Sequence, residues 1–200
     1  MEIRLILLRH GLTAANTERR YTGRRSDPPL SEQGKRELQI RRGKGLYPPA
    51  DVLYTSALRR CTDTARLLYP MLVPVLLPAL DERDFGVFEG KSYEQLREDS
   101  SYRQWIDGGG TIPPPGGESE QEFAARLAGA LRTIAENALR TQPRTAAVIT
   151  HGGCIQQFLN RMADDGFSHD AFVRHPSPCG GGYILLLDTK TLTFRSLKAI

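Results

Sequence analysis

The sequence predicts an α/β fold with a largely parallel sheet, because short apolar runs alternate with amphipathic stretches along the chain. Residues 3–8 are almost continuously apolar, as expected of a strand that is covered on both faces. Further strands of the same kind are predicted at 51–55, 73–77 and 146–150, and a terminal hairpin is predicted at 183–187 and 192–197.

Helices are predicted where a capping residue precedes an amphipathic stretch. Ser31, Ser56 and Ser119 each stand at such a position, and Ser119 forms a capping-box pattern with Glu122. The apolar residues that follow Ser119 recur on one face of a long helix. The predicted helices cover about 31–42, 56–68, 119–140 and 154–162.

Residues 86–118 differ from the rest of the chain. They contain Gly-Gly-Gly at 108–110, Pro-Pro-Pro at 113–115 and two further glycines at 116–117. A structureless loop of this length is uncommon inside a domain unless it is functional. We therefore predict one domain over residues 1–200, with a partly helical, cap-like insertion at about 86–118 and a mobile glycine-rich arm over a site.

The composition is ordinary for a soluble enzyme, and its mild positive charge is interpreted as a solvated surface that would also suit a small phosphorylated substrate. The chain has 200 residues and a formal net charge of +4, but its basic residues form no stripe interleaved with aromatics, so we expect no nucleic acid partner. Three cysteines, an odd number, argue against a disulfide framework. No apolar run is long enough for a membrane span or an export signal, so we expect no membrane contact and a cytoplasmic location.

Two predicted strands end in a histidine followed by glycine, in the sequences Arg9-His10-Gly11 and Thr150-His151-Gly152. Ligands of open α/β sheets bind beyond the carboxyl ends of the strands, where helix N-termini attract anions. A zinc site is the rival interpretation. Because no third ligand stands at metal spacing and arginine lies beside the first histidine, we predict an anion site without a metal.

Arg60 and Glu82 are the other candidate functional residues. Arginine in the first turn of a helix is unfavourable with the helix dipole, but it is tolerable where an anion binds. Of the adjacent pair we interpret Arg59 as solvated and Arg60 as functional. Glu82 follows the third predicted strand closely, so it could approach the same edge of the sheet.

Other chemistries of phosphate and ester groups have motifs that this sequence lacks. No cysteine is followed by arginine at the C-x5-R spacing of the cysteine-based phosphatases. The sequence contains no G-x-x-x-x-G-K-[ST] loop, no G-x-G-x-x-G fingerprint and no G-x-S-x-G elbow.

Four elements, in this order, resemble the histidine phosphatase superfamily, also called the phosphoglycerate mutase-like fold: residues 9–11, Ser56-x-Leu58-x-Arg60, Glu82 and residues 151–152. The resemblance spans most of the chain and implies three layers, α/β/α, around a mixed sheet. It implies that His10 is the nucleophile and that Glu82 is the proton donor. It places further residues around the phosphoryl group or the substrate: Arg9, Asn16, Thr22, Gly23, Arg60, His151 and Gly152.

These roles agree with the chemistry of phosphoryl transfer. A neutral imidazole is a nucleophile, and neighbouring arginine charge disfavours its protonation. The planar fork of arginine matches phosphate oxygens and can hold the charge of the transferring group. Glu82 would protonate the leaving alkoxide and then activate water. This scheme requires no cofactor, and it predicts that inorganic phosphate or sulfate binds in the pocket.

Two further segments resemble the phosphatase branch of the superfamily, notably the alpha-ribazole phosphatases. Residues 85–90 match the pattern F-G-x-W-E-G, except that Phe88 replaces tryptophan, and residues 114–119 read P-P-G-G-E-S. We therefore predict a histidine acid-type phosphatase, with alpha-ribazole 5'-phosphate as one candidate substrate. A phosphoglycerate mutase-type phosphoryl transfer is the alternative, and a non-catalytic phosphoprotein-binding protein ranks third.

Overall fold

The computed structural model describes residues 1–160 and 176–200, and in these ranges the chain forms one mixed six-stranded sheet. The strand order is β3-β2-β4-β1-β5-β6. The first four strands in this order pair in parallel, whereas β5 and β6 run antiparallel as a terminal hairpin. The strands are β1 (Glu2–Arg9), β2 (Val52–Thr55), β3 (Val75–Leu76), β4 (Thr145–Thr150), β5 (Gly182–Asp188) and β6 (Phe194–Ala199).

Helices cover both faces of the sheet. The α-helices are α1 (Ala14–Thr17), α2 (Glu32–Gly43), α3 (Arg59–Leu68), α4 (Tyr93–Leu96), α5 (Ser100–Asp107), α6 (Glu120–Thr141) and α7 (Gly152–Asn160). Two short 3-10 helices cover Pro78–Leu80 and Gly86–Phe88. Among the described residues, no helix is both long and apolar enough to span a membrane.

Alternation along β1 divides the hydrophobic core into two halves. Leu5 and Leu7 point to one face, where they join the apolar residues of α6 and α7. Ile6 and Leu8 point to the other face and pack with residues of α2 and α3. All four side chains are fully buried, which stabilises the fold by about 1.5 to 3 kcal/mol for each. The three-layer α/β/α fold with a mostly parallel mixed sheet is therefore confirmed.

Most element boundaries lie within two residues of the predicted ones, and three of the differences have a clear setting in the structure. Strand β3 is only two residues long, because Pro74 and Pro78 flank it at the edge of the sheet and cannot donate hydrogen bonds. Helix α3 begins at Arg59 with Leu58 as its N-cap, whereas Ser56 lies two residues earlier and its hydroxyl donates to Asp81. Helix α7 begins two residues earlier than predicted, and the predicted end of that helix at 161–162 lies outside the described residues.

The segment 86–118 folds around a small aromatic cluster of its own. Phe88, Leu96, Tyr102 and Trp105 are buried against each other. The two ends of the segment meet at Gly86, which has φ +54°, and any side chain there would collide with the carbonyl of Pro115. Glycine is therefore needed at this position, and the close approach fixes the base of the segment beside residues 82–84.

Candidate active site

The two histidines meet because β1 and β4 are neighbouring parallel strands. Arg9 is in register with Thr150, so His10 and His151 follow at the same edge of the sheet. The backbone N–H of His10 donates to the Thr150 carbonyl at 2.9 Å, and the two imidazole centroids lie 5.2 Å apart. The pairing that was inferred from two strand ends is therefore a direct contact between the rings.

His10 is held as a neutral imidazole with one defined tautomer. Its Nδ1 lies 2.8 Å from the carbonyl oxygen of Gly11, which can only accept, so Nδ1 carries the proton and Nε2 keeps its lone pair. The ring is only 4% exposed. Burial, then the charges of Arg60 and Arg9, hold the pKa of His10 well below its usual value, so the ring is uncharged at neutral pH.

Gly11 allows this arrangement because α2 passes close to the backbone. A Cβ atom at position 11 would lie 2.6 Å from Cδ1 of Leu38, which packs inside the core. The Gly11 N–H donates to the hydroxyl of Thr64 at 3.0 Å. The peptide that orients His10 is therefore fixed by packing as well as by hydrogen bonds.

His151 is fully buried, and both of its nitrogens are engaged by the protein. Nδ1 accepts from Nε of Arg60 at 3.3 Å, which leaves the proton on Nε2, 2.9 Å from the Ser56 hydroxyl. That hydroxyl donates in turn to Asp81 at 2.7 Å. Burial and the charges around the ring, Arg60 first, keep the pKa of His151 well below its usual value. The ring thus lies beside His10 and supports the Arg60 guanidinium.

Arg60 is completely buried at the start of α3. Besides His151, its guanidinium donates to the carbonyls of Ser26 at 2.6 Å and Gly23 at 2.9 Å. Its charge near the N-terminus of the helix is offset by Asp27, whose carboxylate accepts from the backbone N–H of Arg59 at 2.8 Å. The Arg59 side chain is 66% exposed, in line with its interpretation as solvated.

Arg9 has donor capacity to spare. Its Nη1 donates to the carbonyl of Ser177 at 2.8 Å, but its buried Nε has no hydrogen-bond partner within 1–160 and 176–200. The guanidinium lies against Gly152, where a Cβ atom would be 3.4 Å from its central carbon. Because a buried unpaired N–H costs free energy, this group is suited to an anionic ligand.

Glu82 is 8% exposed and is held by backbone N–H groups. Its two oxygens accept from Arg83 N at 2.9 Å and from Gly153 N, in the first turn of α7, at 3.0 Å. Burial raises the pKa of this carboxyl above its ordinary value, against the lowering effect of those two bonds and of the nearby arginines. A carboxyl with a raised pKa is suited to general acid chemistry.

Of the remaining predicted residues, Asn16 and Gly23 contact the cavity or Arg60, whereas the Thr22 side chain does not. Asn16 lines the same cavity as Arg9, and its amide oxygen accepts from the backbone N–H of Thr13 at 3.1 Å. Gly23 contributes its carbonyl to Arg60, and a side chain at position 23 would collide with Glu89. The Thr22 hydroxyl bonds to the carbonyl of Arg20 at 3.2 Å, so its side chain serves the local turn.

A cavity of about 420 Å³ opens beside Arg9 and is basic in character. It lies between the loop after β1 and the start of α4. Among the described residues, no carboxylate lines it, which suits an anionic or polar ligand. The lining residues are Arg9, Leu12, Asn16, Arg19, Arg20, Tyr21, Tyr93 and Cys179.

The sequence did not reveal residues that support the site in space but lie far from it in the sequence. Asp27, which caps α3, and Ser177, which accepts from Arg9, carry no local signal that would link them to the site. Asp81 is not among the predicted site residues, although its carboxylate accepts from the Ser56 hydroxyl that contacts His151. In the described part of the chain, no three His, Cys, Asp or Glu side chains converge as a metal site would require.

Fold and site together define a class of α/β protein with two strand-end histidines, a buried arginine and a second, partly buried arginine beside them. The sequence pattern of the histidine phosphatase superfamily (branch 1) matches residues 5–198, and the chain belongs to this family. Its members among the matches include both phosphatases and mutases, and this chain is an enzyme of that superfamily.

Its relatives carry two different activities in their names. The chain is 32% identical over 185 residues to a 2,3-bisphosphoglycerate-dependent phosphoglycerate mutase of Bartonella henselae, with 86% of each chain covered. A homologue of the same name from Brucella ovis is 33% identical over 184 residues, with 85% of each covered. The solved alpha-ribazole phosphatase of Shigella flexneri superposes with a TM-score of 0.80 at 27% identity, covering 98% of this chain and 96% of that one.

Proposed function

We propose that the protein is a metal-independent phosphomonoesterase that hydrolyses a small phosphorylated metabolite through a phosphohistidine on His10. The observation that carries the proposal is the state of His10: a neutral ring, with Nδ1–H held by Gly11, next to the buried Arg60 and the partly buried Arg9. Such a ring offers Nε2 as a nucleophile where arginine can bind the phosphoryl oxygens.

In the first step, the lone pair of His10 Nε2 forms a bond to phosphorus while the bond from phosphorus to the ester oxygen breaks. The unpaired Nε of Arg9 and the remaining donors of Arg60 bind the equatorial oxygens. Protonated Glu82 gives its proton to the leaving oxygen, since an alkoxide leaves poorly without one. The Gly11 carbonyl stabilises the charge that develops on the phosphorylated ring.

In the second step, water attacks phosphorus and the bond to Nε2 breaks. Glu82, now a carboxylate, accepts the proton of this water and returns to its starting form. His151 contributes by holding Arg60 through its Nδ1, and it can donate to the phosphoryl group only if it releases the Ser56 hydroxyl.

The leaving group is proposed to occupy the cavity beside Arg9, with the segment 86–118 acting as a cap through Tyr93. The alpha-ribazole phosphatase among the structural relatives supports a nucleoside-like phosphate, alpha-ribazole 5'-phosphate, as the first substrate to test. The mutase names of the curated relatives favour the alternative, phosphoryl transfer between the positions of phosphoglycerate. We place the enzyme in the cytoplasm, where both kinds of substrate would be found.

The deciding experiment compares phosphate release with phosphoryl transfer. The enzyme is incubated with alpha-ribazole 5'-phosphate, 3-phosphoglycerate and p-nitrophenyl phosphate, each with and without a chelator. The proposal expects stoichiometric inorganic phosphate that the chelator does not reduce. Interconversion of 2- and 3-phosphoglycerate without net phosphate release would establish the mutase instead, and activity that requires added divalent metal would refute the metal-free scheme.

A further inference from the structure

Arg126, on the buried face of α6, binds the stretch of backbone that carries Glu82. Its Nη1 donates to the carbonyl of Ala79 at 3.0 Å and to that of Asp81 at 2.8 Å. Its Nη2 donates to the carbonyl of Glu82 itself at 3.2 Å. The Arg126 side chain therefore donates to three carbonyls of residues 79–82. This stretch belongs to no strand, and its regular structure is limited to the end of one 3-10 helix.

Glu118 completes the coordination of the same guanidinium. Its Oε1 accepts from Nε of Arg126 at 2.9 Å, and its Oε2 accepts from Nη2 at 2.7 Å. The two side chains are only 15% and 11% exposed, so the ion pair is shielded from solvent. Glu118 is also tied to Asp84 by its backbone N–H at 2.9 Å. Arg126 and Glu118 together therefore hold the backbone on both sides of Glu82.

The arrangement uses the full donor capacity of arginine. A guanidinium has five N–H groups. The five acceptors of Arg126 are the three carbonyls and the two oxygens of Glu118. A lysine in its place has three donors on a single atom and could not reach acceptors on both sides of the stretch.

The carboxylate of Glu82 depends on this backbone for its position. The contacts that fix its oxygens are two backbone N–H groups, those of Arg83 and Gly153. The first belongs to the same stretch that Arg126 holds, so a shift of the backbone moves the carboxylate relative to His10. A misplacement of about 1 Å can cost about 100-fold in rate.

We infer that Arg126, with its partner Glu118, is a positioning residue for Glu82 and sets the efficiency of proton transfer to the leaving group. The inference rests on the proposed role of Glu82 as general acid and base. It assigns a purpose to Glu118 in the P-G-G-E-S segment, which the reaction scheme itself does not use.

The test measures leaving-group dependence in Arg126→Lys. Pre-steady-state bursts with p-nitrophenyl phosphate report His10 phosphorylation without need of an acid, whereas an alkyl phosphate needs the proton. We expect the alkyl rate to fall about 10- to 100-fold more than the aryl rate, by the scale of a misplaced group. Arg132→Lys, on the exposed side of the same helix, should change neither rate by more than about twofold. Equal losses on both esters would overturn the inference, because a merely structural residue affects them alike.

Two further variants keep the outcomes separate. If Arg126→Lys does not fold, Glu118→Gln decides in its place, since the amide preserves the shape and one acceptor oxygen: a selective alkyl loss supports the inference and an equal loss overturns it. Glu82→Gln is measured in parallel. If it shows no alkyl-selective loss, the acid role of Glu82 fails and the inference falls with it. If Glu82→Gln is selective and the other variants are not, only the inference fails.

Discussion

The floor of the site, which consists of His10, Arg60, Glu82, His151 and the adjoining Gly153, is built differently from the wall of the neighbouring cavity, which includes Arg19 and Tyr93. On the floor, His151 and Arg60 are fully buried and His10 is 4% exposed, and the contacts between them are specified atom by atom. On the wall, Tyr93 is 56% exposed, and Arg19 is exposed with no side-chain hydrogen bond among the described residues. The fold therefore dictates the geometry of the chemical groups, whereas Tyr93 and Arg19, which would meet the leaving group, are free to adjust.

A single methyl group added to the floor of the site should reduce the activity of the enzyme. A Cβ atom at Gly153 would collide with the carboxylate of Glu82, which cannot retreat without losing its hydrogen bonds. We expect Gly153→Ala to reduce the hydrolysis of alkyl phosphates by about 100-fold. The matched control is Gly129→Ala in α6, where a Cβ atom meets nothing within 4 Å and the helix should gain up to about 1 kcal/mol. If both variants kept normal turnover, the packing of the floor would be looser than the structure indicates.

The floor should also make stability depend on pH. Because the folded pKa values of His10 and His151 lie well below the unfolded value of about 6.5, the unfolded chain binds more protons below that pH. The stabilising contribution is present above pH 6.5 and is lost as the pH falls toward the folded pKa values, at up to about 1.4 kcal/mol per pH unit for each ring. Glu82, whose folded pKa is raised, acts in the opposite direction, and its contribution is lost as the pH rises through that value.

Urea unfolding at several pH values between 5 and 7 measures this dependence. The variant His10→Asn removes one of the two rings, so its free energy of unfolding should decline with falling pH less steeply than that of the wild type. The difference should approach about 1.4 kcal/mol per pH unit. Identical slopes for the two proteins would mean that His10 titrates normally in the folded state.

Substitutions in the wall of the cavity should have the smallest effects on kcat/KM, and these effects should depend on the substrate. Arg19 lines the cavity as an exposed cation, and exposed ion pairs contribute about 0.2 to 1 kcal/mol. For Arg19→Gln we expect kcat/KM to fall about 2- to 5-fold for 3-phosphoglycerate, which carries a carboxylate, and to stay constant for p-nitrophenyl phosphate. Arg24→Gln, an exposed arginine that does not line the cavity, is the control. An equal loss of kcat/KM on both esters would mean that Arg19 has a structural role instead.

The same contrast explains what the sequence could predict. The pairing of His10 with His151 follows from two strands that end alike, since parallel strands carry their ends to one edge of a sheet. The two-faced core was readable from the apolar run of β1. Both inferences depend on local pattern and on a general rule of sheet topology.

The supports of the site could not be predicted, because they join distant parts of the chain. Arg126 grips residues that precede it by more than forty positions, and Ser177 meets Arg9 across most of the sequence. The start of α3 was misplaced because Ser56 resembles a helix cap, but it lies two residues before the actual N-cap, Leu58, and its hydroxyl joins His151 to Asp81. A side chain with two possible partners is assigned only when the tertiary structure brings one of them near.

The central claim is that His10 accepts the phosphoryl group, and its most direct test is to trap that intermediate. The enzyme is mixed with ³²P-labelled p-nitrophenyl phosphate, quenched in alkali within the burst, and digested for mass spectrometry. We expect label on the peptide containing His10, stable to base and labile to acid, and none in His10→Asn. Label on another residue, or undiminished turnover by His10→Asn, would contradict it.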